Sequence, residues 1–304
     1  MVVLVTGSNG FIGGHVVRNF RKIGWSVIGL GRADRPKHEC EGYIQCDLNS
    51  PKTSLLFSRT DQQIDAVVHL AADMRREPNN VEVVEDNCTG TQRLLEACEK
   101  AHVQAFIQLS SLPVIGVPKY LPITENHPIC PPTVYHVTKY TEELLADYSS
   151  RKHGLRTASF RISAPIGIGM NPKTIFPTFV KNAALGKDLV LIGKGGRKQT
   201  YIHVDDISQA IIKAIGNDNA RGVYNISSRN YLSNLELAKL CVHTLCSKSS
   251  IVYSGNPDPM ENYCWQVCIE KATKDFGFNP LISLESAIQE YAAYVSCMDN
   301  GAIA

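Results

Sequence analysis

The chain has 304 residues, 31 basic against 29 acidic, for a formal net charge of +2. Hydrophobic residues make up 44% and charged residues 20%, a composition that builds a core without disulfide or metal staples. The absence of a basic block excludes an electrostatic binder of nucleic acid or anionic membrane, and no apolar run approaches the roughly 20 residues that span a bilayer. Met1-Val2-Val3-Leu4-Val5 lacks the charged n-region of a signal peptide, so a cytoplasmic location is expected. The cysteines, at 40, 46, 88, 98, 130, 241, 246, 264, 268 and 297, form no C-x-x-C pair and meet no histidine at zinc-finger spacing. Free thiols and no metal site are expected.

In chain order, residues 2–5 predict a strand and 12–23 a helix. Strands follow at 26–30 and 66–70, a helix at 88–100 and a strand at 106–109. Residues 113–132 are dense in Pro and Gly and read as irregular, and 133–150 as a long helix opening after Pro131-Pro132. Beyond Arg161 regularity weakens: 164–177 is loop-like, 193–196 a Gly-rich turn, and 205–215 and 234–246 are helical. Strands spaced by helices of this length imply βαβ units and a doubly wound parallel sheet of Rossmann type, an α/β fold with a smaller α+β C-terminal region for substrate. The expected division is a dinucleotide domain over 1–163 plus about 200–228, a substrate region over 164–199 and 229–298, and a disordered tail over 299–304.

Directly after the first strand comes Thr6-Gly7-Ser8-Asn9-Gly10-Phe11-Ile12-Gly13. Gly7 permits a tight turn, Gly10 lets backbone approach a pyrophosphate, and Gly13 lets the helix lie close on the sheet. The helix N-terminus turns its amides and the positive end of its dipole toward the anion. The second strand ends Leu30-Gly31-Arg32, where an NAD site usually carries an acid for the ribose 2′-hydroxyl. A guanidinium suits a 2′-phosphate, so NADP is favoured over NAD.

Tyr135 and Lys139 stand four apart on the 133–150 helix and share a face. The ammonium is expected to lower the phenol's pKa, so that Tyr135 exchanges a proton with an alcohol or ketone while a hydride moves. Ser110-Ser111 closes the strand at 106–109, where this fold places active-site groups.

With these motifs in order, the chain resembles the extended short-chain dehydrogenase/reductases, the NAD-dependent epimerase/dehydratase family typified by UDP-galactose 4-epimerase. The resemblance also runs through Asp47-Leu48, Val68-His69-Leu70-Ala71-Ala72, Asn87-Cys88-Thr89-Gly90-Thr91, residues 161–169, Tyr201 to Asp206 and residues 222–226. It implies Ser111, Tyr135 and Lys139 as catalytic residues. It implies a dinucleotide site of Gly7, Asn9, Gly10, Phe11, Ile12, Gly13, Arg32, Asp47, Leu48, Leu70, Ala71, Ala72, Asn87, Ile162 and Pro165, with Tyr135 and Lys139. Asp47 and Leu48 would contact adenine; Ser111, Arg197 and Tyr201 are the expected substrate contacts. It also implies a homodimer through two helices, one of them carrying Tyr135 and Lys139.

Leu112 and Pro113 stand where the family's 4,6-dehydratases carry Asp-Glu and its 3,5-epimerising members a cysteine, and neither can transfer a proton. What survives is hydride and proton exchange at one carbinol or ketone: 4-epimerisation, 4-ketoreduction or alcohol oxidation, with an epimerase or ketoreductase acting at C4 of a nucleotide sugar as the expected function. On the substrate side Ala164 replaces a usual asparagine and Gln199-Thr200 an Arg-Asp pair, leaving Arg197, Arg221 and Arg229 for a diphosphate. A member acting on a non-sugar alcohol or ketone, and a non-catalytic dinucleotide sensor, stay open as alternatives. His69 and His203 are expected to be structural.

Overall fold

The computed structural model describes residues 1–74 and 80–299. The chain begins with β1 (Val2–Thr6), α1 (Phe11–Lys22), β2 (Ser26–Gly31), β3 (Gly42–Gln45) and β4 (Ala66–His69). A short helix, α2 (Val81–Val84), runs through a π-helical turn (Glu85–Thr89) into α3 (Gly90–Lys100), and β5 (Ala105–Ser111) follows. Next come α4 (Val134–His153), β6 (Arg156–Ile162), β7 (Ala164–Ile166) and α5 (Ile175–Ala184). They lead to β8 (Leu189–Leu191), β9 (Lys198–Gln199), β10 (Tyr201–His203), α6 (Val204–Ile215) and β11 (Gly222–Ile226). The C-terminal part holds β12 (Leu232–Ser233), α7 (Asn234–Thr244), β13 (Ile251–Tyr253), α8 (Glu270–Phe276) and α9 (Leu284–Asp299).

Seven strands form one sheet in the order β11-β6-β5-β4-β1-β2-β3, every pair parallel. The order reverses beside β1, as the doubly wound reading expects. A sheet covered by helices on both faces needs apolar residues at successive positions, which is why β1 reads Val-Val-Leu-Val without alternation. Its side chains still alternate in space. Val3 and Val5 pack with Phe20, Ile107 and Phe160, while Leu4 packs on the other side with Ile28, Leu94 and Phe106. All seven strands therefore end on the same edge.

A second core joins α5, α7 and α9 through Phe176, Phe179, Leu237, Ile288 and Tyr291. Helix α8, inside the expected substrate region, instead packs Ala272 and Phe276 into the first core. The segment 164–177, read as loop, contains β7 and the first turn of α5. Pro177 sits in that first turn, where a missing N–H breaks no helical bond. Strand β6 carries polar residues that the structure buries with partners. Arg156 donates to the carbonyls of Ala214, Ile215 and Asn217 at 2.7, 2.7 and 3.0 Å, capping the end of α6. Helix α4 is capped by the Thr133 side chain, which accepts from the His136 amide, and ends at Gly154, whose φ of 79° is left-handed. The tail expected after Asp299 lies outside the described residues.

Candidate active site

The turn after β1 is built as the glycine spacing predicts. Gly7 has φ of +66°, and a Cβ there would lie 2.8 Å from the Ala71 amide nitrogen. At Gly13 a Cβ would stand 2.1 Å from the Gly7 carbonyl oxygen, so only glycine lets α1 sit this close. Gly10 is the N-cap of α1 with no side-chain cap, and no acid stands in the first turn. Those amides are left for an exogenous anion, so the residues present fit a dinucleotide pyrophosphate. Phe11 packs toward the second core and Ile12 toward the first. Asn9 holds the loop after β2, donating to the Arg35 carbonyl at 3.1 Å and accepting from the Lys37 amide at 2.8 Å.

At the end of β2, Arg32 pairs with Asp86 at 3.1 Å. A 2′-phosphate would have to compete with that carboxylate. Tyr43, on β3, also occupies the space over Gly31: a Cβ at position 31 would be 2.8 Å from the Tyr43 hydroxyl oxygen. The sequence reading missed this residue, whose signal is the pair of β2 glycines, 29 and 31, that make room for its ring. Asp47 is exposed and its carboxylate accepts from the Asn49 amide at 3.0 Å, while Leu48 is buried.

Under the cleft, His69 bridges the Thr6 hydroxyl at 2.8 Å and the Thr91 hydroxyl at 2.9 Å. Burial pushes its pKa down to about 3, so it is a neutral structural group. Thr6 Oγ1 in turn accepts from the amides of Leu70 and Ala71, both at 3.1 Å. Asn87 is 2% exposed and is used as a clamp. It accepts from the Asp73 amide at 2.7 Å and donates to the Asp73 carbonyl at 3.2 Å and to Thr138 Oγ1 at 3.0 Å. Thr138 lies between Tyr135 and Lys139, so Asn87 ties the segment after β4 to the helix that carries both.

The two serines that close β5 divide their tasks. Ser110 is buried and donates to Glu143 Oε1 at 2.5 Å. The same carboxylate takes a two-pronged bond from Arg161, Nε at 2.9 Å and Nη2 at 2.7 Å. Ser111, half-buried, makes no cap bond to the short turn that follows it, which leaves its hydroxyl for a ligand. Helix α4, which carries Tyr135, packs against β5 and that turn. Tyr135 departs from expectation: burial raises its pKa above 10 despite the opposing charge of Lys139, and Glu142 raises it further. Lys139 Nζ is paired at 2.5 Å with Glu142 Oε2, both buried. Burial lowers the lysine's affinity for its proton, but Glu142, Tyr135 and Glu143 together outweigh this and the pKa is raised. Glu142 itself is pushed up to about 7 by burial, against the pull of Lys139. Neither Glu142 nor Glu143 was singled out from sequence. Two adjacent acids on a helix read as a solvated face, and the available signal was Ser110 and Arg161, polar residues inside strand segments that must find partners.

On the substrate side, Ile162 pairs in register with Ser111 at the end of β6, and Pro165 lies in β7 opposite Ile202. Arg197 is half-buried, pairs with no acid among the described residues, and its buried Nε has no hydrogen-bond partner. Tyr201 is 2% exposed, packed beside Phe176, and its hydroxyl is engaged by Gln199. It is a wall of the second core, with no surface left for a substrate. His203 caps α6 through the Asp205 amide and bonds Glu290 at 2.8 Å, a structural role.

The NAD dependent epimerase/dehydratase family model matches residues 3–227. A putative UDP-glucose 4-epimerase of Methanocaldococcus jannaschii is 26% identical over 303 residues, covering 95% of this chain and 96% of that protein. Among solved structures, the UDP-glucose 4-epimerase of Thermotoga maritima with UDP-glucose superposes with a TM-score of 0.86 at 25% identity, covering 98% of this chain and 99% of that one. MoeE5 in complex with UDP-glucuronic acid and NAD gives 0.84 at 25% identity, covering 98% and 100%. With the glycine turn, the parallel sheet and the Tyr–Lys helix in place, the chain belongs to the NAD-dependent epimerase/dehydratase family.

Proposed function

We propose that this protein is an NAD(P)-dependent nucleotide-sugar epimerase that inverts a sugar carbinol, at C4, with Tyr135 as its acid/base. What supports this reading is helix α4, which carries Tyr135 and Lys139 on one face and packs on β5 and on the turn that follows Ser111, together with the uncapped N-terminus of α1 after the parallel strand β1. When bound, the nicotinamide supplies a hydride acceptor and then a donor. Ser111 holds the substrate oxygen, Tyr135 Oη takes the carbinol proton and returns it, and Lys139 stabilises the phenolate. Leu112 and Pro113 offer no acid or base for dehydration, and both follow Ser111 directly. Ketoreduction is the second outcome of the same residues; the Thermotoga maritima structure is described as a UDP-glucose 4-epimerase, which favours epimerisation.

Arg197 supports a diphosphate substrate, because an unpaired, half-buried guanidinium is stabilised by an anion. For the dinucleotide, Arg32 favours NADP only if it leaves Asp86; MoeE5 was solved with NAD. A homodimer through α4 is supported by the exposed stripe of Val137, Leu144 and Tyr148, at 46, 51 and 50% exposure. The test is interconversion of UDP-glucose and UDP-galactose by wild type and Tyr135→Phe, with thermal shift against UDP, dTDP and GDP. Loss of turnover with retained dinucleotide binding is expected. Near-normal turnover in Tyr135→Phe would remove Tyr135 from the mechanism, and no stabilisation by any nucleotide would remove the sugar-nucleotide substrate.

A further inference from the structure

Glu142 has no place in the chemistry just described, yet it is buried against it. Its Oε2 lies 2.5 Å from Lys139 Nζ, side-chain exposures are 1% and 4%, and its Oε1 has no hydrogen-bond partner at all. A buried carboxylate with an unfilled oxygen is costly and would be replaced by an apolar side chain if it served packing alone. We infer that Glu142 is a positioning residue for Tyr135, holding Lys139 and cancelling its charge so that the phenol keeps its proton until the carboxylate is neutralised. The inference rests on Tyr135 as the acid/base.

Among the described residues, the ammonium is the positive charge that acts on Tyr135, and it acts in a space with little water. Its field at the phenol depends on what neutralises it. With Glu142 ionised, the Lys139–Glu142 pair is neutral overall, and burial then decides in favour of the protonated phenol. With Glu142 protonated, the full charge of Lys139 reaches Tyr135 and the phenolate becomes accessible. Tyr135, Lys139 and Glu142 thus form a three-membered set on one helix in which net charge stays constant if one proton leaves Tyr135 as another reaches Glu142. Among the described residues, the other groups facing the set do not supply this control. Glu143 is taken by Arg161 and Ser110, and His69, which feels Lys139, is held neutral by burial. Cys88, on the π-helical turn, is pushed up to about 11 by burial, with Glu142 adding to the shift, so it carries no charge near neutral pH.

The test needs neither substrate nor dinucleotide. Near-ultraviolet phenolate absorbance is titrated in wild type and Glu142→Gln, each paired with the same protein carrying Tyr135→Phe, and the difference isolates Tyr135. Glu142→Gln should lower the Tyr135 midpoint by about one pH unit or more, a tenfold gain in phenolate at fixed pH. An unmoved or higher midpoint overturns the proposal, whatever the turnover. Should Gln prevent folding, Glu142→Met is titrated with the same expectation, and failure of both to fold would make Glu142 a core residue and overturn it too. Turnover separates this result from the proposed function. An active Tyr135→Phe sinks that function, whereas an inactive Tyr135→Phe with an unmoved midpoint sinks only the role of Glu142.

Discussion

Glu143→Ala tests how the end of β5 is held. The change deletes a carboxylate that receives three hydrogen bonds, from Ser110 Oγ at 2.5 Å and from Arg161 Nε and Nη2 at 2.9 and 2.7 Å. Arg161 is 3% exposed and keeps only the Glu125 carbonyl, at 3.0 Å from Nη1. A guanidinium left buried without its acid costs about 3–5 kcal/mol, a range that absorbs the stranded Ser110 hydroxyl. Against a total stability of about 5–15 kcal/mol this is a large loss. Urea unfolding followed by circular dichroism at neutral pH should show the midpoint fall with little change in slope. The double variant Glu143→Ala/Arg161→Met should be more stable than Glu143→Ala alone, because it also removes the unpaired charge. A single-variant loss below about 1 kcal/mol, or additive losses in the double variant, would refute the claim that charge burial sets the cost.

Gly13→Ala should cost at least about tenfold in dinucleotide affinity, measured by fluorescence titration, because a Cβ 2.1 Å from the Gly7 carbonyl must push α1 off the turn. Unchanged affinity would show that the turn has slack. His69, with a folded pKa of about 3 against an ordinary 6.5, contributes stability that is present above about pH 6.5 and lost as pH falls toward 3. The loss should approach ~1.4 kcal/mol per pH unit and disappear in His69→Gln. Comparing the two proteins isolates it from Glu142, whose pKa of about 7 gives the opposite slope. Leu144→Lys should shift sedimentation toward monomer by placing a charge in the exposed stripe of α4, and an unchanged profile would exclude that face as the interface.

The parts of this architecture that sequence discloses are those whose physics is local. The apolar run of β1, the glycines after it and the Tyr135–Lys139 spacing each depend on a few neighbouring residues, and each is found where expected. Strand β6 carries Arg156, Thr157, Ser159 and Arg161, which look soluble until their partners on α4, α6 and β5 are known, so the sequence does not mark it as a strand. Helix α5 hid behind Pro172 and Pro177 for a similar reason, since only position within the first turn separates a tolerated proline from a breaking one. At the site, the proton pair was legible but its field was not. Lys139 announces a positive charge, and only the folded chain reveals the carboxylate that offsets it.

The uniform direction of the seven strands separates the molecule into a working rim and a rim for handling. Gly24 and Gly154 lie just before β2 and β6, at the far edge, facing open space; their left-handed φ of +81° and +79° keeps both as glycine, so attachments belong on the residues beside them. Fluorophores, affinity tags or new chain ends engineered there should leave ligand chemistry undisturbed, making that rim the natural anchor for tethering the protein to a surface or sensor.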